Sequence, residues 1–111
     1  MENYENYENS PINRLSILMM NQRKDIEKVG HYDKMYFKEL KRFDLLLNGD
    51  IFGDDCVPWN GESKKIPTCT FRTVKVSVRR LLYHNFVKSI ENIKPFKNKC
   101  KLLKCCTISH I

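Results

Sequence analysis

Near the C-terminus, Cys100, Cys105 and His110 recur five residues apart, and Cys56 lies in a turn-rich stretch far upstream. This pattern constrains the fold most, because 111 residues bury a core with a thin margin that a metal would widen. Thiolates and a neutral imidazole are the usual zinc ligands, and a structural site takes four of them in a tetrahedron. Cys100, Cys105 and His110 supply three, and Cys56 is the best candidate for the fourth, with Cys106, Cys69 and His84 in reserve. The spacing is not the short knuckle of a zinc finger, so thiols that hold no metal are the alternative. Five cysteines is an odd number, which in a reducing compartment favours metal ligation or buried thiols over a disulfide framework. No apolar run approaches the roughly 20 residues that cross a bilayer. The acidic, polar start is not a signal peptide, so the expected location is intracellular, cytoplasmic or nuclear, with no membrane partner.

Charge divides the chain. Residues 1–55 hold 8 Lys/Arg against 11 Asp/Glu, whereas residues 56–111 hold 12 against 2, giving −3 and +10 for the net +7. Such a basic half sets up a field for a polyanion, and nucleic acid is the expected partner, DNA in preference to RNA. A solvated lysine-rich surface is the plainer reading.

Residues 1–10, an acidic repeat of Glu-Asn-Tyr without aliphatic side chains, read as a disordered tail. Residues 11–48 read as a helical hairpin. Ser10-Pro11 opens a helix expected to reach about Lys28, with Gly30 ending it, and Asp33 to Leu47 carries a second apolar stripe stopped by Asn48-Gly49. These helices are candidates for a homodimer surface or for binding a protein partner. From residue 49 the chain is turn-rich and then alternates from Thr68 to Val78, with Arg72-Thr73 as a tight turn of poor turn chemistry. Arg79 to Ile90 reads as a helix on the spacing of Leu82, Phe86 and Ile90. The fold class expected is α+β: an N-terminal helical pair, then a small zinc-stabilised hairpin-and-helix module over residues 49–111.

Several fragments of this second half resemble, in order and spacing, a Cys-rich branch of the HNH (His-Me finger) endonucleases. Cys56-Val57-Pro58-Trp59 stands where that branch has Cys-Trp-x-Trp, and Arg79-Arg80 where His-Arg opens a helix. Asn98-Lys99-Cys100 stands for His-x-Cys, Cys105 follows at five residues, Thr107-Ile108 replaces Asn-Pro, and His110-Ile111 falls where His-Leu belongs. The resemblance implies a ββα-metal-like module whose family base is Asn98 here and whose middle Asn is Thr107. An amide has no pKa near neutrality and cannot take a proton from water. The resemblance therefore implies a degenerate, non-catalytic nuclease domain that keeps its structural Zn²⁺. It leaves His110 either completing the zinc site, facing a catalytic divalent metal as in the family, or lying on the surface. The composition and the decayed motif also resemble small proteins of large cytoplasmic DNA viruses, which would place the chain in host cytoplasm or the virion.

Lys97, Lys99, Lys101 and Lys104 alternate with the ligand positions, so a zinc-pinned loop would present them together to phosphates. Arg79 and Arg80 would do the same at a helix N-terminus. Trp59 would either stack on a base or cap the core beside the metal. Two rival readings stand beside nucleic-acid binding. One is an active endonuclease using Mg²⁺ or Mn²⁺ with a rearranged base such as His84, and the other is a protein-interaction adaptor.

Overall fold

The first described helix, α1 (Pro11–Asn21), begins with proline at a position where the missing N–H costs nothing, and Leu15 and Leu18 fall on its inner side. The computed structural model describes residues 11–47, 49–61, 66–91 and 102–111. The acidic tail, the Ser10 cap, Asn98, Cys100 and Lys97, Lys99 and Lys101 lie outside the described residues. The remaining elements are α2 (Phe37–Leu46), β1 (Thr68–Phe71), β2 (Val74–Ser77), α3 (Val78–Phe86) and a 3₁₀ turn at Ile108–His110. The fold is α+β, with the helical pair preceding a hairpin and its helix.

Three boundaries differ from the sequence expectation, and tertiary partners explain each. The α1 pattern runs on to Lys28 in sequence, but the helix stops at Asn21. Beyond it, the Arg23 N–H donates to the Asn85 carbonyl (2.9 Å) and the Arg23 guanidinium to the His84 carbonyl (2.6 and 3.0 Å). Gln22 Nε2 donates to the Met35 carbonyl and to Asn85 Oδ1, both at 2.8 Å. These bonds replace what another helical turn would provide. The second helix starts at Phe37 rather than Asp33, because the Asp33 carbonyl and the Met35 N–H both bond the side chain of Asn85. The Glu39 carboxylate accepts the Tyr36 N–H (2.8 Å) at the new start. Finally, α3 ends at Phe86 rather than Ile90, since the Ile90 N–H turns back to His84 Nδ1 (3.2 Å).

The hairpin pairs Thr68 with Ser77 and Phe71 with Val74, antiparallel. Its two-residue turn places Arg72 and Thr73 at φ of 51° and 71°, a conformation that asparagine and glycine adopt with far less strain. The Arg72 guanidinium offsets that strain. It donates to both Glu39 oxygens (2.9 Å each), to Asp33 Oδ2 (2.8 Å) and to the Lys34 carbonyl (2.7 Å). It also lies 4.8 Å from the Tyr36 ring centroid and 4.6 Å from that of Phe71. The tip of the hairpin is thus tied to the start of α2.

One apolar core runs through both halves, from Leu18, Leu40 and Phe43 of the helical pair to Phe71, Val76, Leu81 and Leu82 of the hairpin and α3. Asp44 is buried at the helical interface, where burial raises its carboxyl pKa against the opposing effect of Arg14 at 3.3 Å. Trp59 is 2 % exposed and packs on Phe43 at a centroid distance of 5.3 Å. That burial answers the question left open above: the indole belongs to the core and is closed to a stacking base.

Candidate metal centre

Two chain segments far apart in sequence run side by side to build the site. The Trp59 N–H donates to the Lys104 carbonyl and the Cys106 N–H to the Val57 carbonyl, both at 2.8 Å, and Pro58 and Cys105 form an antiparallel bridge. The alternation of an extended strand sends Val57 and Trp59 into the core and leaves Cys56 exposed at the rim. On the facing segment Cys105 and Cys106 are both buried. The 3₁₀ turn then folds His110 back, its N–H donating to the Thr107 carbonyl at 3.0 Å.

The result brings together Cys56, Cys105 and His110, whose ligand atoms all lie within 4.8 Å of one another. His110 Nδ1 is 3.3 Å from Cys56 Sγ and 3.3 Å from Cys105 Sγ. Tetrahedral zinc with Zn–S of about 2.3 Å and Zn–N of about 2.0–2.1 Å holds its ligand atoms roughly 3.5–3.8 Å apart. The two sulfur-to-imidazole distances are within a few tenths of an ångström of that spacing and the third separation is under 4.8 Å, so the residues present fit a metal ion. These are three of the four ligands that the sequence nominates. The fourth, Cys100, lies outside the described residues.

The fold sorts its thiols by environment. Burial alone would raise the Cys105 pKa, but the Thr107 N–H, Cys56 and His110 outweigh it and bring the thiol down to about 6. These neighbours favour the thiolate, the form that binds metal. Cys106, next in sequence, sits in the core, where burial pushes it up to about 12. Cys69 is likewise pushed up by burial, to about 11. Of the reserve ligands, Cys106 lies in the interior and Cys69 is half-buried on the hairpin, and neither joins Cys56, Cys105 and His110.

His84, the third reserve, is buried and fully engaged. Its Nε2 lies 2.7 Å from the Glu27 carbonyl and its Nδ1 3.2 Å from the Ile90 N–H. With an acceptor at Nε2 and a donor at Nδ1, the ring is the neutral Nε2–H tautomer, and burial lowers its pKa. It can neither bind the metal nor receive a proton from a solvent-side substrate.

Arg79 corrects a second expectation. It is buried, with Nε donating to the Cys105 carbonyl (3.0 Å) and Nη2 to the Leu103 carbonyl. A guanidinium committed to the metal-bearing loop is not presented to phosphate. The neighbouring Arg80 is half-buried at the start of α3, where its N–H donates to Ser77 Oγ (3.3 Å). Lys104 is half-buried beside the site, and its carbonyl accepts the Trp59 N–H.

Thr107 occupies the position where the resemblance puts an asparagine, and it is buried. Its hydroxyl donates to the Asp55 carbonyl (2.6 Å) and accepts the Val57 N–H (2.9 Å). The sequence reading missed this residue as a support for the site, and it missed Asn85 altogether. Asn85 did carry a signal, since it is a lone amide four residues after Leu81 and three after Leu82, on the buried side of α3.

Among the described residues no helix is long and apolar enough to cross a membrane. No family model matches the chain, and no solved structure matches it. The chain is similar to a viral protein, the uncharacterized protein R328 of Acanthamoeba polyphaga mimivirus, with 31 % identity over 98 residues. That stretch covers 79 % of this chain and 29 % of the relative, so the chain spans less than a third of the relative's length.

Proposed function

We propose that the protein is a zinc-pinned nucleic-acid-binding module built like a degenerate HNH nuclease domain. The observation that carries the reading is the convergence of Cys56, Cys105 and His110 on one point from positions up to 54 residues apart. In this reading Zn²⁺ binds these residues, with Cys100 as fourth ligand, and cross-links the Cys56 segment to the C-terminal segment. The ion's contribution is structural, as in closed sites with thiolate and imidazole ligands. The order hairpin, then helix, then metal-bearing loop supports the HNH-like reading. The +10 charge of residues 56–111 supports a polyanion as partner.

A cutting role has little to rest on. The base that a rearranged active site would need, His84, is buried with both ring nitrogens engaged. The position of the family base holds Asn98, an amide.

Zinc content of protein purified without added metal, followed by DNA and RNA binding across a salt series, tests the reading. One zinc per chain, loss of thermal stability in chelator and steeply salt-dependent binding without sequence preference are expected. A nuclease assay with Mg²⁺ or Mn²⁺ is expected to show no cleavage. Protein without zinc that is indifferent to chelator would end the metal reading. Binding no stronger than that of an uncharged control at 50 mM salt, a concentration of roughly the low end used for such tests, would end the nucleic-acid reading.

A further inference from the structure

The three ligands of the metal cluster share one neighbour. The Thr107 hydroxyl bonds the backbone on both sides of Cys56, at the Asp55 carbonyl (2.6 Å) and the Val57 N–H (2.9 Å). The Thr107 carbonyl accepts the His110 N–H (3.0 Å) that closes the 3₁₀ turn. Thr107 lies two residues after Cys105 on the same buried segment. The side chain is buried, and its hydroxyl has one acceptor and one donor satisfied, which fixes its rotor.

From this juxtaposition we propose that Thr107 is the positioning residue of the metal centre, the group that sets Cys56 against Cys105 and His110 at metal-binding distance. The inference rests on the zinc reading given above. Cys56 is exposed at a rim, on a segment whose preceding residues Asp54 and Asp55 are also exposed. Packing alone gives such a side chain little orientation. The two bonds to Thr107 hold the backbone of that segment from both sides, so the Cβ of Cys56 points at the cluster. Groups that orient metal ligands in this way typically govern affinity by about 10–100-fold.

Two substitutions separate positioning from simple support of the fold. Thr107→Val keeps the shape and removes the hydroxyl, whereas Thr107→Ser keeps the hydroxyl and removes the methyl. The readouts on the full chain are Zn²⁺ affinity by competition with a chromogenic chelator, and the visible spectrum of the Co²⁺-loaded protein, which reports ligand geometry. Thr107→Val is expected to weaken Zn²⁺ binding by about 10–100-fold and to alter the Co²⁺ spectrum. Thr107→Ser is expected to match the native chain in both. Should the valine chain fail to fold, Thr107→Ala, which removes the hydroxyl without a methyl in its place, is measured in the same way and is expected to show the same loss.

Native affinity and spectrum in the hydroxyl-free chain, or a serine chain as weak as the valine one, would overturn the proposal and leave the zinc site standing. A native chain that binds neither Zn²⁺ nor Co²⁺ would overturn both.

Discussion

Asn85 is a severe test of how the two halves depend on each other. Its Oδ1 accepts from Gln22 Nε2 and from the Met35 N–H, each at 2.8 Å. Its Nδ2 donates to the Asp33 carbonyl (3.1 Å) and to the Leu81 carbonyl (3.0 Å). All the hydrogen-bonding capacity of the amide is thus used, and the residue is fully buried. Asn85→Leu keeps the size and deletes every bond. Gln22 retains the Met35 carbonyl, and the Leu81 carbonyl retains its place in the helix. The buried Met35 N–H and the half-buried Asp33 carbonyl are left without their partner, and such an orphan costs about 1–3 kcal/mol, the half-buried one toward the low end. The sum is roughly 2–6 kcal/mol, a large part of the 5–15 kcal/mol typical of a folded domain. For a chain of this size that corresponds to a fall in Tm on the order of 10–25 °C. Thermal unfolding followed both by far-UV circular dichroism and by fluorescence of the single tryptophan, Trp59, measures it. Because the amide joins the residues after α1, the segment before α2 and α3, both signals are expected to move together. A shift below about 2 °C would refute the counting of orphaned groups. Two separated transitions would refute the claim that the halves share one core.

Other consequences are open to direct measurement. Thr73→Gly relieves a β-branched residue at positive φ and is expected to stabilise the chain by about 1 kcal/mol in urea unfolding. Gly61→Ala is expected to cost about 1–3 kcal/mol in the same assay, because a Cβ there would lie 2.5 Å from Trp59 Nε1 and 2.7 Å from Cε2, both parts of a buried ring. His84 binds a proton less readily folded than unfolded, so the unfolded chain takes up more protons. Its contribution to stability is present above the unfolded value near 6.5 and is lost as pH falls below it; His84→Gln is expected to flatten that part of the stability–pH curve. Charge reversal at Lys97, Lys99, Lys101 and Lys104 is expected to weaken binding to all nucleic-acid sequences alike and to reduce the salt slope; a loss confined to one sequence would contradict the phosphate-contact reading.

Much of this protein was legible in its residues because local rules carry it. Period and punctuation placed two helices before a hairpin and a third helix after it, and ligand chemistry nominated Cys56, Cys105 and His110. Where helices end was not legible, since α1 stops when Arg23 and Gln22 meet partners more than 60 residues away, at His84 and Asn85. The Arg72-Thr73 turn reads poorly for the same reason: what holds it is Glu39, Asp33 and the Lys34 carbonyl, which lie over 30 residues upstream. Its place at a helix N-terminus offered Arg79 to phosphate, but burial gave it to the carbonyls of Leu103 and Cys105. The cysteines show the division most sharply. In sequence Cys105 and Cys106 are chemically identical neighbours. An extended backbone turns them to opposite sides, so one meets a thiol and an imidazole and the other meets the core and the Lys104 carbonyl. The sequence could say that the chain holds ligands for a metal; only the packing of two distant segments decides which thiols meet at the His110 imidazole.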